Sequence, residues 1–216
     1  MKLNFTYHKE KDVWCLLNKG KSSINSPFPT LAYTQLVLSF GDNPSELNTG
    51  IFIDQYIQEN EYNVSEYIKD CQKDFNFISK EYQQIAEKVF NVSLDGEITV
   101  YLTVNNRCPY SIEQNWFFVS ISKKIPTVTM MHELWHFYTW YKFGVTWEEK
   151  IGKQKYNEIK EALTVLLNIE CKDLLPEGVT DMGYPQHAEL REKILLWWSQ
   201  NPDIEDIFEK SIKFIN

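Results

Sequence analysis

The stretch that decides the fold runs from Pro126 to Gly144 and reads PTVTMMHELWHFYTWYKFG. Its apolar residues recur at intervals of three and four, which is the spacing of one face of an α-helix. They are Val128, Met131, Leu134, Trp135 and Tyr138. Proline suits the first turn of a helix, and glycine suits the position after its end. We therefore predict a helix from Pro126 to about Phe143.

The polar residues of this helix spell the motif H-E-x-x-H. His132 and His136 are four residues apart, so they lie one turn apart on the same face. Both imidazoles can therefore reach a single ion at the ~2.0–2.1 Å distance that zinc requires. Glu133 is rotated by about 100° from His132, too far to be a comfortable ligand, but it can reach a water on the open side of the ion. This is the position of a general base.

Two histidines hold zinc poorly, and catalytic sites usually take a third protein ligand. A metzincin would continue the motif with a glycine and a third histidine, but Thr139 and Phe143 stand at or near those positions, which excludes that family. The other histidines, His8 and His187, are far away in the sequence. A carboxylate downstream of the motif is therefore the better candidate.

The next predicted helix carries the triplet Glu161, Ala162, Leu163, which begins 25 residues after His136. Together with HELWH, this triplet resembles the gluzincin metallopeptidases, the thermolysin-like clan. The resemblance implies that His132, His136 and Glu161 bind zinc and that Glu133 activates the water. It also implies an edge strand before the active helix that aligns an extended peptide. The resemblance covers roughly residues 97–171.

A second glutamate competes for the place of third ligand. Asn157 and Glu158 also resemble an Asn-Glu pair of the same clan, and a helical wheel places Glu158 nearer the apolar centre of the helix than Glu161. We favour Glu161, because Ala162 and Thr164 are small neighbours where two helices must approach closely around an ion.

Other parts of a gluzincin site are sought further along the chain. The clan places an aspartate behind a zinc histidine, four residues after the third ligand. That aspartate is missing here, since Ala162 follows Glu158 and Val165 follows Glu161 at this spacing. A donor for the developing oxyanion is also needed. The clan frequently supplies a histidine or tyrosine from downstream, which implies His187 first and Tyr184 second. Arg191, one turn after His187, is the third candidate.

Composition limits the classes of partner. The chain has 216 residues, 43% of them apolar, and a net charge of -8 with 20 Lys and only 2 Arg, which argues against nucleic acid. The longest apolar run, Ile194–Trp198, is far shorter than the roughly 20 residues of a membrane span. Residues 1–18 lack the pattern of a secretory signal, so we expect a cytoplasmic protein without a membrane partner. Its four cysteines are far apart, which predicts free and mostly buried thiols.

These patterns predict an α+β fold in one domain spanning residues 1–216, which the resemblance implies to be zincin-like. We expect an N-terminal α/β part over residues 1–96 and a catalytic core over residues 97–216. In that core, a small, mainly antiparallel sheet packs on the H-E-x-x-H helix and is followed by a helical C-terminal half. The predicted strands are Leu3–Tyr7, Val13–Leu17, Glu97–Val104 and Trp116–Ser122, the last being the edge strand. The other predicted helices are Val64–Val89, Trp147–Cys171, His187–Ser199 and Asp203–Phe214.

Clusters of Gly, Pro and Asn predict the loops between these elements. They lie at Asn25–Pro29, Gly41–Gly50, Asn105–Pro109 and Leu175–Gly183.

The function expected from these features is zinc-dependent hydrolysis of peptide bonds in a peptide or protein substrate, with the metal-bound water activated by Glu133. An alternative from another class is a catalytically weak or inactive gluzincin-like module that binds metal and acts through a partner. A plain helical domain without metal is the third possibility.

Overall fold

The computed structural model describes residues 1–22 and 28–215 and has the α+β composition that the sequence predicts. The chain forms two compact units. The first comprises Met1–Phe75 and Asp95–Thr127, and the second comprises Asn76–Leu94 and Val128–Asn216. The strands after residue 96 belong to the first unit, together with the N-terminal segment. The turn expected at Asn25–Pro29 lies mostly outside the described residues.

The first unit contains a four-stranded sheet. Its strands are β1 (Lys2–Thr6), β2 (Glu97–Thr103), β3 (Tyr110–Ser111) and β4 (Trp116–Ser120), in the order β1-β2-β4-β3. The β1–β2 and β2–β4 pairs are parallel, and only β3–β4 is antiparallel. The expectation of a mainly antiparallel sheet is therefore wrong. The two-residue strand β3 lies in the connection between β2 and β4 and pairs antiparallel with β4. Because the chain turns back in β3 before it enters β4, β4 runs in the same direction as β2.

The same topology corrects the expected edge strand. The segment Trp116–Ser122 forms β4 over its first five residues, and β4 lies between β2 and β3. Tyr110 pairs with Phe117 and Ser111 pairs with Trp116, so the edge on this side of the sheet is β3. The prediction of an edge strand at Trp116–Ser122 is wrong, because the sequence pattern of a strand does not specify its neighbours.

Three helices of the first unit lie between β1 and β2 in the sequence. They are α1 (Lys9–Lys19), α2 (Leu31–Phe40) and α3 (Glu46–Glu59). The strand predicted at Val13–Leu17 is wrong, because it lies in α1, where Asp12, Val13, Cys15 and Leu16 are buried with helical spacing. The loop expected at Gly41–Gly50 is shorter than predicted, since the Ser45 side chain caps α3 by accepting a hydrogen bond from the Asn48 amide at 3.1 Å.

Helix α4 (Val64–Phe90) begins in the first unit and ends in the second, and it confirms the long amphipathic helix predicted there. The following helices are α5 (Pro126–Thr139), α6 (Val145–Ile151), α7 (Lys153–Leu163), α8 (Leu167–Glu170), α9 (Ala188–Gln200) and α10 (Ile204–Ile215). Of the described helices, none is long and apolar enough to cross a membrane. Cys15, Cys71 and Cys171 are free thiols and are buried, as predicted, whereas Cys108 is partly exposed.

Two of the predicted helices are interrupted. The motif helix α5 ends at Thr139 and continues as a π-helical turn over Trp140–Gly144. The helix predicted from Trp147 to Cys171 is wrong as a continuous element, because Gly152 has a φ of 84° between α6 and α7, and a 3₁₀ turn covers Thr164–Leu166. These breaks divide the segment after α5 into short helices.

The core of the second unit fixes α5 against its neighbours. Trp135 is fully buried, and its ring lies edge-on to that of Phe90 in α4, with centroids 4.9 Å apart. The Trp135 Nε1 donates a hydrogen bond to the Leu163 carbonyl at the end of α7, at 3.1 Å. From α4, the Tyr82 hydroxyl donates to the Met131 carbonyl at 2.9 Å. The helix that carries the histidines is thus held by buried hydrogen bonds to α4 and α7.

Candidate metal centre

The two motif histidines lie side by side on α5. The ring centroids of His132 and His136 are 4.6 Å apart, with an angle of 80° between the ring planes. This arrangement follows from their separation by one helical turn. His136 is buried and His132 is partly exposed.

Glu161 of α7 completes a group of three potential ligands. Its Oε2 lies 3.6 Å from His132 Nε2, and its Oε1 lies 3.4 Å from His136 Nε2. One ligand atom from each residue lies within 4.8 Å of the others. The rival Glu158 is not in this group, and its Oε1 accepts a hydrogen bond from Gln154 at 3.2 Å. Two imidazole nitrogens and one carboxylate are a donor set that could hold a metal ion.

Glu133 lies next to this group with a buried carboxyl. Its Oε2 is inaccessible and has no hydrogen-bond partner among the described residues. Burial raises the pKa of Glu133 to about 8, against the opposing effect of the charge on His132. A buried, unsatisfied carboxyl oxygen is costly, which indicates a site that is completed by another group.

An aspartate from a loop that the sequence did not single out lies behind His132, one of the potential metal ligands. Asp181 Oδ2 lies 2.6 Å from His132 Nδ1, on the side of the ring opposite Nε2. A hydrogen bond of this kind fixes the ring orientation and the tautomer of a histidine ligand. No aspartate lies four residues after Glu158 or Glu161, and Asp181 contacts His132 from a different part of the chain.

Asp181 is itself held by several neighbours. Its Oδ1 lies 2.8 Å from Thr164 Oγ1 and accepts a hydrogen bond from Arg191 Nη2 at 3.0 Å. Arg191 Nη1 also donates to Thr164 Oγ1 at 2.8 Å. The Asn168 side chain bonds both backbone polar groups of Asp181, at 2.7 and 2.9 Å. The loop end that carries Asp181 is therefore fixed by buried polar contacts.

The two histidines differ in their electrostatics. Burial lowers the pKa of His136 to about 3, so its imidazole is neutral, as a metal ligand must be. Burial also acts on His132, but its hydrogen bonds to Asp181 and Glu161 outweigh that effect and raise its pKa to about 10. A bound cation would displace the proton on the Nε2 side and leave the bond to Asp181 intact.

The three candidates for the oxyanion donor are placed differently. His187 is buried, its Nδ1 has no hydrogen-bond partner among the described residues, and burial lowers its pKa. It ends a 3₁₀ turn, Pro185–His187, which packs on α7, the helix of Glu161. Tyr184 is 42% exposed as a residue, and its ring lies edge-on to that of His187, with centroids 5.9 Å apart. Arg191 donates hydrogen bonds to Asp181 and Thr164. His187 and Tyr184 therefore remain the predicted donors to the oxyanion.

No family model, no curated protein and no solved structure matches this chain. The assignment of the site therefore depends on its own residues and their geometry.

Proposed function

We propose that this protein is a zinc-dependent peptidase of gluzincin type, with His132, His136 and Glu161 as metal ligands. The observation that carries the proposal is the convergence of these three ligand atoms within 4.8 Å beside the buried, unsatisfied carboxyl of Glu133. Two imidazoles and one carboxylate match the ligand set of catalytic zinc sites that keep a position open for solvent.

The chain's own residues supply the acid–base chemistry. When bound, zinc polarises a carbonyl and lowers the pKa of the water it carries to about 7. Glu133 accepts the proton of the attacking water and passes it to the leaving amine. Burial raises the pKa of Glu133, which makes its carboxylate a stronger base than an exposed one, and a bound cation acts in the opposite direction. His187 and Tyr184 are the proposed donors to the oxyanion.

The first test asks whether the three ligands hold zinc. We expect one equivalent of zinc in the purified wild-type protein and none after His132→Ala or Glu161→Gln, measured by elemental analysis after dialysis. Glu158→Gln is the matched control, because it makes the same change three residues away on α7. Loss of zinc in Glu158→Gln with full retention in Glu161→Gln would contradict the ligand assignment.

The second test separates an enzyme from a metal-binding module. Glu133→Gln removes the base but no ligand, so zinc should stay while hydrolysis of denatured casein or a peptide library falls by roughly a hundredfold to ten-thousandfold. If this variant hydrolyses peptides at the wild-type rate, the proposed mechanism is wrong. If the wild-type protein holds zinc and hydrolyses nothing, the metal-binding module is the better description.

A further inference from the structure

Lys160 is a buried lysine in contact with the proposed third ligand. It precedes Glu161 in α7, and only 3% of its surface is exposed. Its Nζ lies 3.1 Å from Glu161 Oε1. Lysine is almost never buried to this degree unless it is paired. The sequence indicated nothing unusual here, since most lysines on a helix are solvated.

The lysine shares a single carboxylate with the ligand group. Glu161 Oε1 lies close both to Lys160 Nζ and to His136 Nε2, at 3.1 and 3.4 Å, while Oε2 faces His132 Nε2 at 3.6 Å. The ammonium charge therefore acts on a ligand oxygen from very short range.

The other buried cation near the site has a different balance of charges. Arg191 is matched by Asp181, a carboxylate that lies behind His132 and outside the ligand group. Lys160, by contrast, is matched by a carboxylate that belongs to the ligand group itself. A divalent ion bound there would have to share Glu161 with a positive charge. Repulsion between two cations in a buried site is only weakly screened by solvent.

We propose that Lys160 is a positioning residue that acts through Glu161. Its charge lowers the affinity of the ligand group for a divalent ion and keeps the centre electrophilic toward the substrate carbonyl. This inference rests on the metal site of the proposed function. The physical reason is that the ammonium offsets the negative charge that Glu161 contributes, so the centre keeps more of its positive charge. That charge favours the negative charge that develops on the substrate oxygen.

The test compares zinc affinity and turnover in lysine variants, with the dissociation constant measured by competition against a chromophoric chelator. Lys160→Met should tighten zinc binding by about tenfold or more, because it removes a buried like charge. At saturating zinc, its kcat on a peptide should nevertheless fall by about tenfold. Lys160→Arg keeps the charge and should stay close to wild type in both measurements. Lys153→Met, at the exposed start of α7, is the matched control and should change neither.

Opposite changes in affinity and turnover separate this role from a merely structural one, which would weaken both together. An unchanged or weaker affinity in Lys160→Met overturns the inference, and so does an unchanged kcat. Lys160→Gln gives the same comparison if the methionine variant does not fold, as judged by chemical denaturation. If the wild-type protein itself binds no zinc, the proposed function fails, and this outcome is distinct from a failure in the lysine variants alone.

Discussion

Two aspartates, one in each unit, are buried to a similar degree and have opposite pKa shifts. In the first unit, Asp12 accepts hydrogen bonds from the Thr103 hydroxyl at 2.5 Å and from the Val104 amide at 3.1 Å. Burial raises its pKa to about 7, and these neutral donors only partly oppose the rise. In the second unit, burial also acts on Asp181, but its bonds to His132 and Thr164 and the charge of Arg191 lower its pKa.

The comparison teaches that charged partners can reverse the effect of burial on the pKa of a carboxyl. Asp12 joins α1 to the end of β2 and can do so as a neutral acid, so its role is structural. Asp181 needs its negative charge, since it balances Arg191 and orients His132. Substituting asparagine at each position removes the charge with little change in shape, and it should have opposite consequences in the two units.

The largest effect is expected for Asp181→Asn. This change leaves the buried Arg191 without its carboxylate, which costs about 3–5 kcal/mol when one partner of a buried pair is removed. It also weakens the orientation of His132, so zinc affinity should fall by about 10–100-fold. Urea unfolding of the chelator-treated protein and a zinc titration measure the two effects. Asp173→Asn, at an exposed position of the same unit, is the control and should change neither. If Asp181→Asn keeps the stability and the zinc affinity of the wild-type protein, the negative charge of Asp181 is not needed and the contrast with Asp12 fails.

The sequence predicted the part of the site that lies within one helix. His132, Glu133 and His136 owe their arrangement to the helical repeat, which the apolar pattern of α5 makes visible. Glu161 was predicted from a looser motif and remained in competition with Glu158. The structure groups Glu161 with the histidines. A choice between two residues on one helix needs the packing of α7, which local periodicity does not supply.

The parts that could not be predicted depend on contacts between distant segments. Asp181 reaches His132 because Thr164, Asn168 and Arg191 hold its loop, and no fixed spacing encodes those contacts. The parallel direction of β2 and β4 was missed for a similar reason, since strand patterns do not specify pairing. Burial of Lys160 is likewise a property of the packed unit. Local patterns therefore indicated the potential metal ligands, but not the residues that pack around them.

The next prediction concerns Asp12 and the pH dependence of stability. Its pKa is about 7 in the folded chain and about 3.9 when unfolded, so the folded state binds more protons between these values. Stability contributed by this group is therefore greatest below pH 4 and is lost as the pH rises toward 7, by up to about 4 kcal/mol. In Asp12→Asn this loss should disappear, as measured by urea unfolding from pH 4 to 8. Asp42→Asn, at an exposed position, should keep the wild-type dependence. If the free energy of unfolding changes with pH in the same way in wild type and Asp12→Asn, the raised pKa of Asp12 is wrong.

The smallest effect is expected at Gly183, where the loop that carries Asp181 passes Arg191. Its φ is 60°, and an added Cβ would lie 2.5 Å from Arg191 Nη1. Gly178 of the same loop also has a positive φ, of 74°, but open space around it. Alanine should cost about 1 kcal/mol at either glycine because of the backbone conformation. Gly183→Ala should add to this a displacement of Arg191 and weaken zinc binding several-fold, whereas Gly178→Ala should leave zinc binding unchanged. Equal zinc affinities in the two variants would mean that Asp181 still orients His132 when Arg191 moves. The difference between Asp181 and Asp12 would then depend on the charge of Arg191 and not on its exact position.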